Sequence, residues 1–356
     1  MRNCIFFLTF LFLSTLNATP APPIWLSQLA PLNDAFMINT PDDNHDAIAK
    51  VLMTARTQIQ MSMYHLTDPQ LIDTLIAKQA QGVKVQVILD HSSLALPHYM
   101  DTFKRLQAGH VDVMASSPSF NITHSKIFVL DGKTAFVSTM NFVEHFQEMR
   151  DFGVFTHEPS VVRELQSVFL ADVANAKQNT MNTPPLHSPN LIWSPVNAEQ
   201  KIVDLIDSSR ISLDITSENL GNDNIQQALI RARSRGVAVR LLTPACDLAQ
   251  DPLRNYPFLR QLAQSGVQMH LMPAPSTPQL PYMHAKTMIV DRSKLFLGSE
   301  NLSNNSLLHA REAGIVFTNK KAIAFVGSSF ERDWKVSVVL QKTDPVCPAP
   351  TYHVAN

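Results

Sequence analysis

A chain of 356 residues with 45% hydrophobic and 17% charged residues can bury one large or two medium cores, which excludes a disordered or fibrous protein. A formal net charge of −1 excludes a strong basic field for indiscriminate nucleic-acid binding and leaves only a local basic groove.

In chain order, Arg2 precedes an apolar run from Cys4 to Leu16, followed by small residues around Ala18. A membrane span needs roughly 20 apolar residues, and this run is shorter. Residues 1–18 therefore read as a secretory signal peptide, which predicts a secreted or periplasmic protein. Without them Cys246 and Cys347 are the only cysteines. An oxidising compartment can join that pair, and the sequence leaves a bond and two separate thiols both open.

The spacing next predicts a helix over Asp46–Thr57 and then a strand–helix–strand unit over Ile59–Asp90, entered for its second strand through Gly82-Val83. A helix over Tyr99–Ala108 and a strand over Val111–Ala115 follow. The series then repeats: a helix over Ala198–Arg210, a strand–helix–strand unit over Ile211–Asp247 with Gly236-Val237, a helix over Phe258–Gln264 and a strand over Val267–Met272. Gly82 and Gly236 lie 236 − 82 = 154 residues apart, so the chain is an internal duplication. Four prolines between Thr183 and Pro195 read as a linker. The expected organisation is a first lobe over residues 30–182, a linker over 183–195, a second lobe over 196–340 and an extended tail over 341–356.

The same motif stands at the same place in each half. The first copy contains His124, Lys126, Asp131 and Asn141, and the second His284, Lys286, Asp291 and Asn301. The histidines are 284 − 124 = 160 residues apart, close to the glycine spacing, so the motif belongs to the duplication. Ile127–Leu130 and Thr134–Val137 predict two strands around a tight turn at Asp131. Residues two apart on a strand share a face, which sets His124 and Lys126 together. Pairing Leu130 with Thr134 brings Ser138 opposite Lys126 and Met140 opposite His124. Imidazole, ammonium, hydroxyl and amide thus meet at one end of a hairpin.

That collection suits a phosphodiester. Lysines and amides neutralise non-bridging oxygens, one imidazole attacks phosphorus, and a second serves as acid and base. One copy has a single histidine for two tasks, so the lobes are expected to face each other with their motifs at the interface.

The doubled His-x-Lys-x4-Asp, with Gly-Ser-x-Asn at Gly298–Asn301, resembles the phospholipase D superfamily from about residue 35 to about residue 335. The resemblance implies an α/β fold of two similar α/β/α sandwich lobes with pseudo-twofold symmetry and the active site between them. It implies His124 as nucleophile, His284 as acid/base, phosphate contacts from Lys126, Lys286, Asn141 and Asn301 with Thr139 and Ser299 in support, and no metal or other cofactor. Asp131 and Asp291 complete the motif, although turn aspartates more commonly hold a hairpin than touch substrate. In such proteins a downstream acid orients each histidine. Asp151, 27 residues beyond His124, and Glu312, 28 beyond His284, are the candidates, within the matching stretches Arg150–Gly153 and Arg311–Gly314. Ser138 stands where glycine is usual and adds a side chain where glycine lets the backbone come close. Glu300 reads as a salt-bridge or histidine-orienting group.

Three functions compete. The first is a phospholipase D acting on phospholipids, as a monomer transiently at a membrane surface, by hydrolysis or transfer to another alcohol. Leu94–Pro97 and Met272–Pro281 would form its apolar rim. The second is a metal-independent nuclease using Lys78, Lys84, Lys104, Arg105, Arg231, Arg233 and Arg235 against nucleic acid. The third is a non-catalytic membrane-binding module. Charge balance favours lipid.

Overall fold

The computed structural model describes residues 22–43, 45–144, 148–247 and 255–347. The predicted signal peptide lies outside them.

Two similar sheets carry the molecule. In the first, the strands lie in the spatial order Phe36–Thr40, Met149–Thr156, Thr134–Ser138, Lys126–Leu130, Gln58–Met63, Lys84–Leu89 and Asp112–Ala115. In the second the order is Leu191–Ser194, Glu312–Phe317, Lys294–Gly298, Thr287–Val290, Ser212–Thr216, Ala238–Pro244 and Gln268–Met272, with Val338–Val339 added at the edge. The last three strands of each series before that addition run parallel, as strand–helix–strand units require. The motif hairpins insert antiparallel at the centre of each sheet.

Helices form where the local chemistry allows. Asp68 accepts from Leu71 N at the start of Pro69–Ala80, and Asn222 accepts from Ile225 N at the start of Asp223–Ser234. Beyond each helix Gly82 and Gly236 adopt φ of +85° and +86°, which a side chain would resist. The predicted helix at Asp46 ends at Met53, and its successor in the second lobe at Ser208.

Strand alternation separates the layers. Ile59, Met61 and Met63 face helices 46–53 and 69–80, whereas Ile127 and Val129 face helix Pro159–Gln178. The latter layer is shared: Ile127, Val137, Phe152 and Leu165 pack in one core with Leu242, Ile289, Ile315, Val326 and Phe330 of the other lobe. A continuous apolar core therefore joins the lobes. Two buried ion pairs clasp it with twofold likeness: Arg311 with Asp172 on the last helix of the first lobe, and Arg150 with Asp333 on the last helix of the second.

The linker requires correction. Leu191–Ser194 is a strand, pairing antiparallel with Glu312–Ile315, so the second lobe begins before residue 196. Pro189 and Pro195 flank the strand without interrupting it, at the sheet edge where proline does least harm. The tail is fastened too, because Cys347 is disulfide-bonded to Cys246. Among the described residues no helix is long and apolar enough to cross a membrane.

Candidate active site

Both hairpins adopt the expected register. Leu130 pairs with Thr134, and Ser138 Oγ donates to Lys126 O. Asp131 and Gly132 both have positive φ, as do Asp291 and Arg292, which makes each connection a type I′ turn. Asp131 accepts from the backbone N–H groups of Arg56, Thr57 and Gln58 and from the Thr57 hydroxyl. Burial opposes its ionisation, but those bonds prevail and hold the carboxyl at about 2. Asp291 makes the matching bonds to Arg210, Ile211 and Ser212. Both aspartates sit at the far end of the strands, seven residues from the histidines, or about 23 Å of extended chain at ~3.3 Å per residue. They are turn residues and leave the catalytic set.

At the other end the lobes exchange side chains. His124 N donates to Arg311 O, and Tyr282-Met283 pairs in parallel with Met149-Arg150, so each motif enters alongside the opposite lobe's acid-bearing strand. Consequently His124 Nδ1 lies 2.8 Å from Glu312 Oε2, and His284 Nδ1 lies 2.8 Å from Asp151 Oδ1. Asp151 and Glu312 each contact a motif histidine, but the ring is that of the other lobe. A carboxylate only accepts, so both Nδ1 atoms carry hydrogen and both Nε2 atoms are left for chemistry. Glu312 is itself braced by the Ser306 hydroxyl at 2.6 Å.

Lys126 and Lys286 are buried, and each donates to the backbone carbonyl of its motif histidine. Burial and the nearby Lys286 bring the Lys126 ammonium down to about 7. Burial and Lys126 likewise hold His124 below the usual imidazole range against the pull of Glu312, favouring the neutral ring a nucleophile requires. Lys286 acts on Lys126 and His124 across the interface, so the four cationic or nucleophilic groups share one site.

Thr139 and Ser299 are placed differently from the expectation. Thr139 Oγ1 donates to Asp151 Oδ1 and accepts from Phe152 N; Ser299 Oγ bonds the Ala313 backbone. Both hydroxyls are committed to the acid-bearing strands, so they support the acids instead of lining the phosphate site. Asn141 and Asn301 are both buried, with Asn301 Oδ1 accepting from Asn219 N and Nδ2 lying 3.5 Å from Glu218 Oε2. The Ser138 substitution also finds its reason. A Cβ at Gly298 would come within 2.2 Å of Glu300 and 2.5 Å of Gly314 Cα, whereas the first lobe has Met140 in place of Glu300. Among the described residues Glu300 has no salt bridge and neither carboxyl oxygen has a hydrogen-bond partner, and burial pushes it well above the carboxylate range.

Two groups escaped the sequence reading. Tyr64 packs edge-on against His124 at 4.6 Å between ring centres, under Lys126 Nζ at 5.1 Å. Behind it His65 and Tyr99 continue an aromatic stack. Glu218 lies 3.0 Å from Lys286 Nζ and 3.7 Å from His284 Nε2, and accepts from the Tyr282 hydroxyl. Burial alone would raise its carboxyl, but Lys286 and His284 outweigh burial and keep it ionised. The duplication holds the signal that finds them. Offsetting Tyr64 by the glycine spacing gives 64 + 154 = 218, so one aromatic and one acid occupy equivalent places.

The family described as cardiolipin synthase, PLD-like domain, matches residues 48–173 and 202–334. A probable cardiolipin synthase of Bacillus subtilis is 27% identical over 87% of this chain and 67% of its own length. Cardiolipin synthase A of Pseudomonas aeruginosa is 27% identical over 88% of this chain and 69% of its own. The fold also resembles that of the phosphatidylserine synthase of Haemophilus influenzae, with a TM-score of 0.70 at 14% identity over 88% of both chains. With both motifs inside the matched segments and both histidines at the lobe interface, the chain belongs to the phospholipase D superfamily.

Proposed function

We propose that this chain exchanges the alcohol of a phospholipid phosphodiester through a phosphohistidine on His124, with an alcohol or water as acceptor. The observation that carries the reading is the crossed pair of imidazoles. Each Nδ1 is bound by a carboxylate from the other lobe, and each Nε2 is left to the site that Lys126 and Lys286 share. In the first step His124 Nε2 forms a bond to phosphorus as the bond to the leaving alcohol breaks. His284 Nε2–H gives that oxygen its proton. In the second, neutral His284 takes a proton from the incoming hydroxyl, whose oxygen bonds to phosphorus and releases His124. The lysines hold the non-bridging oxygens throughout.

Several features support a lipid over a nucleic acid. The relatives reported above are named as phospholipid synthases, which also favours transfer over simple hydrolysis. Leu96, 43% exposed, precedes the helix bearing Tyr99, whose hydroxyl meets His65 in the aromatic stack behind His124. Leu280 leads directly into Tyr282 and His284. Several of the basic residues that a nucleic acid would need are already engaged. Arg231 and Arg235 pair with Asp207, and Arg105 with Asp73. Lys84 begins a strand whose far end approaches the site. Export through residues 1–18 belongs to the proposal, and the Cys246–Cys347 bond supports an oxidising compartment.

The test incubates the purified mature chain with phospholipid vesicles, plasmid DNA and RNA side by side, with and without EDTA. A phosphatidyl product, retained in EDTA and lost in His124→Ala and His284→Ala, is expected. Nicked plasmid without any lipid product would refute the lipid reading, and unchanged turnover in both variants would remove the mechanism.

A further inference from the structure

The two halves of the site are not alike, and the difference falls on one side of the reaction. Gln58 and Ser212 occupy equivalent positions, since each gives its backbone N–H to the turn aspartate of its own lobe. Six residues on from each come Tyr64 and Glu218. Tyr64 flanks His124, and Glu218 flanks His284. An in-line displacement sets the entering nitrogen and the departing oxygen on opposite sides of phosphorus. With His124 entering, the alcohol that leaves and the alcohol that arrives both meet His284 Nε2, and both pass Glu218.

We propose that Glu218 is the specificity residue of the alcohol subsite, selecting alcohols that carry a second hydrogen-bond donor, hydroxyl or ammonium, beside the reacting hydroxyl. This inference rests on the phosphodiester exchange proposed above. The reacting oxygen must come within about 3 Å of His284 Nε2 to exchange a proton, and Glu218 Oε2 lies 3.7 Å from that nitrogen. A donor on the neighbouring carbon, itself about 3 Å from the reacting oxygen, closes a four-cornered arrangement with the carboxylate at ordinary hydrogen-bond lengths. The carboxylate is not already saturated. Oε1 accepts from Tyr282 at 2.9 Å and Oε2 from Lys286 at 3.0 Å, while Asn301 Nδ2 stands at 3.5 Å. Each oxygen has two lone pairs, so capacity for one more donor remains. The same charge repels an alcohol bearing an anionic group. Where the first lobe has Tyr64, such selection is absent, because a phenol ring carries no fixed negative charge.

The experiment measures product partition with phosphatidylcholine vesicles and one acceptor at a time: glycerol, ethanolamine, 1-propanol and glycerol 3-phosphate. Total choline release is recorded alongside. The wild-type chain is expected to form phosphatidylglycerol and phosphatidylethanolamine at least about tenfold faster than phosphatidylpropanol, the worth of a hydrogen bond to a charged acceptor. It is expected to reject glycerol 3-phosphate. Glu218→Gln keeps the shape and removes the charge. Glu218→Tyr copies the first lobe. Both should bring the donor-bearing and donor-free alcohols to within about threefold of each other, on the same energetic reasoning, and Glu218→Gln should admit glycerol 3-phosphate. A preference for glycerol but not ethanolamine identifies hydroxyl as the donor, and the reverse identifies ammonium. Choline release with equal use of glycerol, ethanolamine and propanol by the wild type would overturn the inference and leave the exchange reaction standing. A wild-type preference that persists in both variants would overturn it as well. No choline release and no phosphatidyl product would overturn both.

Discussion

Glu312→Gln tests the crossed pairing most directly, because the acid stands in one lobe and its consequence falls on the histidine of the other. Glu312 and His124 are both buried, with 2.8 Å between Oε2 and Nδ1. A hydrogen bond to a charged group is worth about 1.5–3 kcal/mol. The amide adds a further loss, since it can donate to Nδ1 and so favour the tautomer whose Nε2 lone pair is occupied by hydrogen. Together these amount to about 3–5 kcal/mol, or ~10²- to 10⁴-fold in rate. The assay is the first-turnover release of nitrophenolate from phosphatidyl-p-nitrophenol, whose leaving group departs without a proton. Glu312→Gln is expected to slow that release by the full factor, because it disables attack. Asp151→Asn disables only protonation by His284, so it should cost less than about tenfold with this substrate and the full factor with phosphatidylcholine. The opposite pattern, with release lost in Asp151→Asn and spared in Glu312→Gln, would refute either the crossing or the division of roles between the rings.

The value of about 7 for Lys126 gives a pH dependence. Its ammonium is present below that value and lost above it, so kcat/KM for a diester should fall as pH rises through about 7, and Lys126→Arg, always charged, should abolish that limb; an unchanged alkaline limb in the variant would assign it to another group. Asp172→Ala leaves the fully buried Arg311 guanidinium without its carboxylate and should cost about 3–5 kcal/mol in urea unfolding, whereas Asp333→Ala should cost less, because Arg150 keeps Asp42 at 3.4 Å. Losses under about 1 kcal/mol would mean that solvent reaches the stranded arginine.

The amino-acid sequence by itself determined everything that depends on local register. Alternating strands, the turn at Asp131 and the spacing of His124 and Lys126 follow from periodicity and turn chemistry, and the repeat of Gly82 in Gly236 revealed the duplication. The hairpin register was legible because the turn fixes it. Leu191–Ser194 was not, since a four-residue edge strand between prolines has no local signature and exists only because Glu312–Ile315 offers it partners. Thr139 and Ser299 were misplaced because a hydroxyl's residue number does not say which neighbouring strand it will bond. The crossing of Asp151 and Glu312 was undecidable in principle. In a duplicated chain the spacing from histidine to acid is nearly the same in both halves, so it fits pairing within a lobe and between lobes equally well. Only docking decides, and here the shared apolar core with the Arg311–Asp172 and Arg150–Asp333 clasps sets each motif against the other lobe's acid-bearing strand. The same docking turned Glu218, in sequence one polar residue after a strand, into a charge beside a catalytic nitrogen.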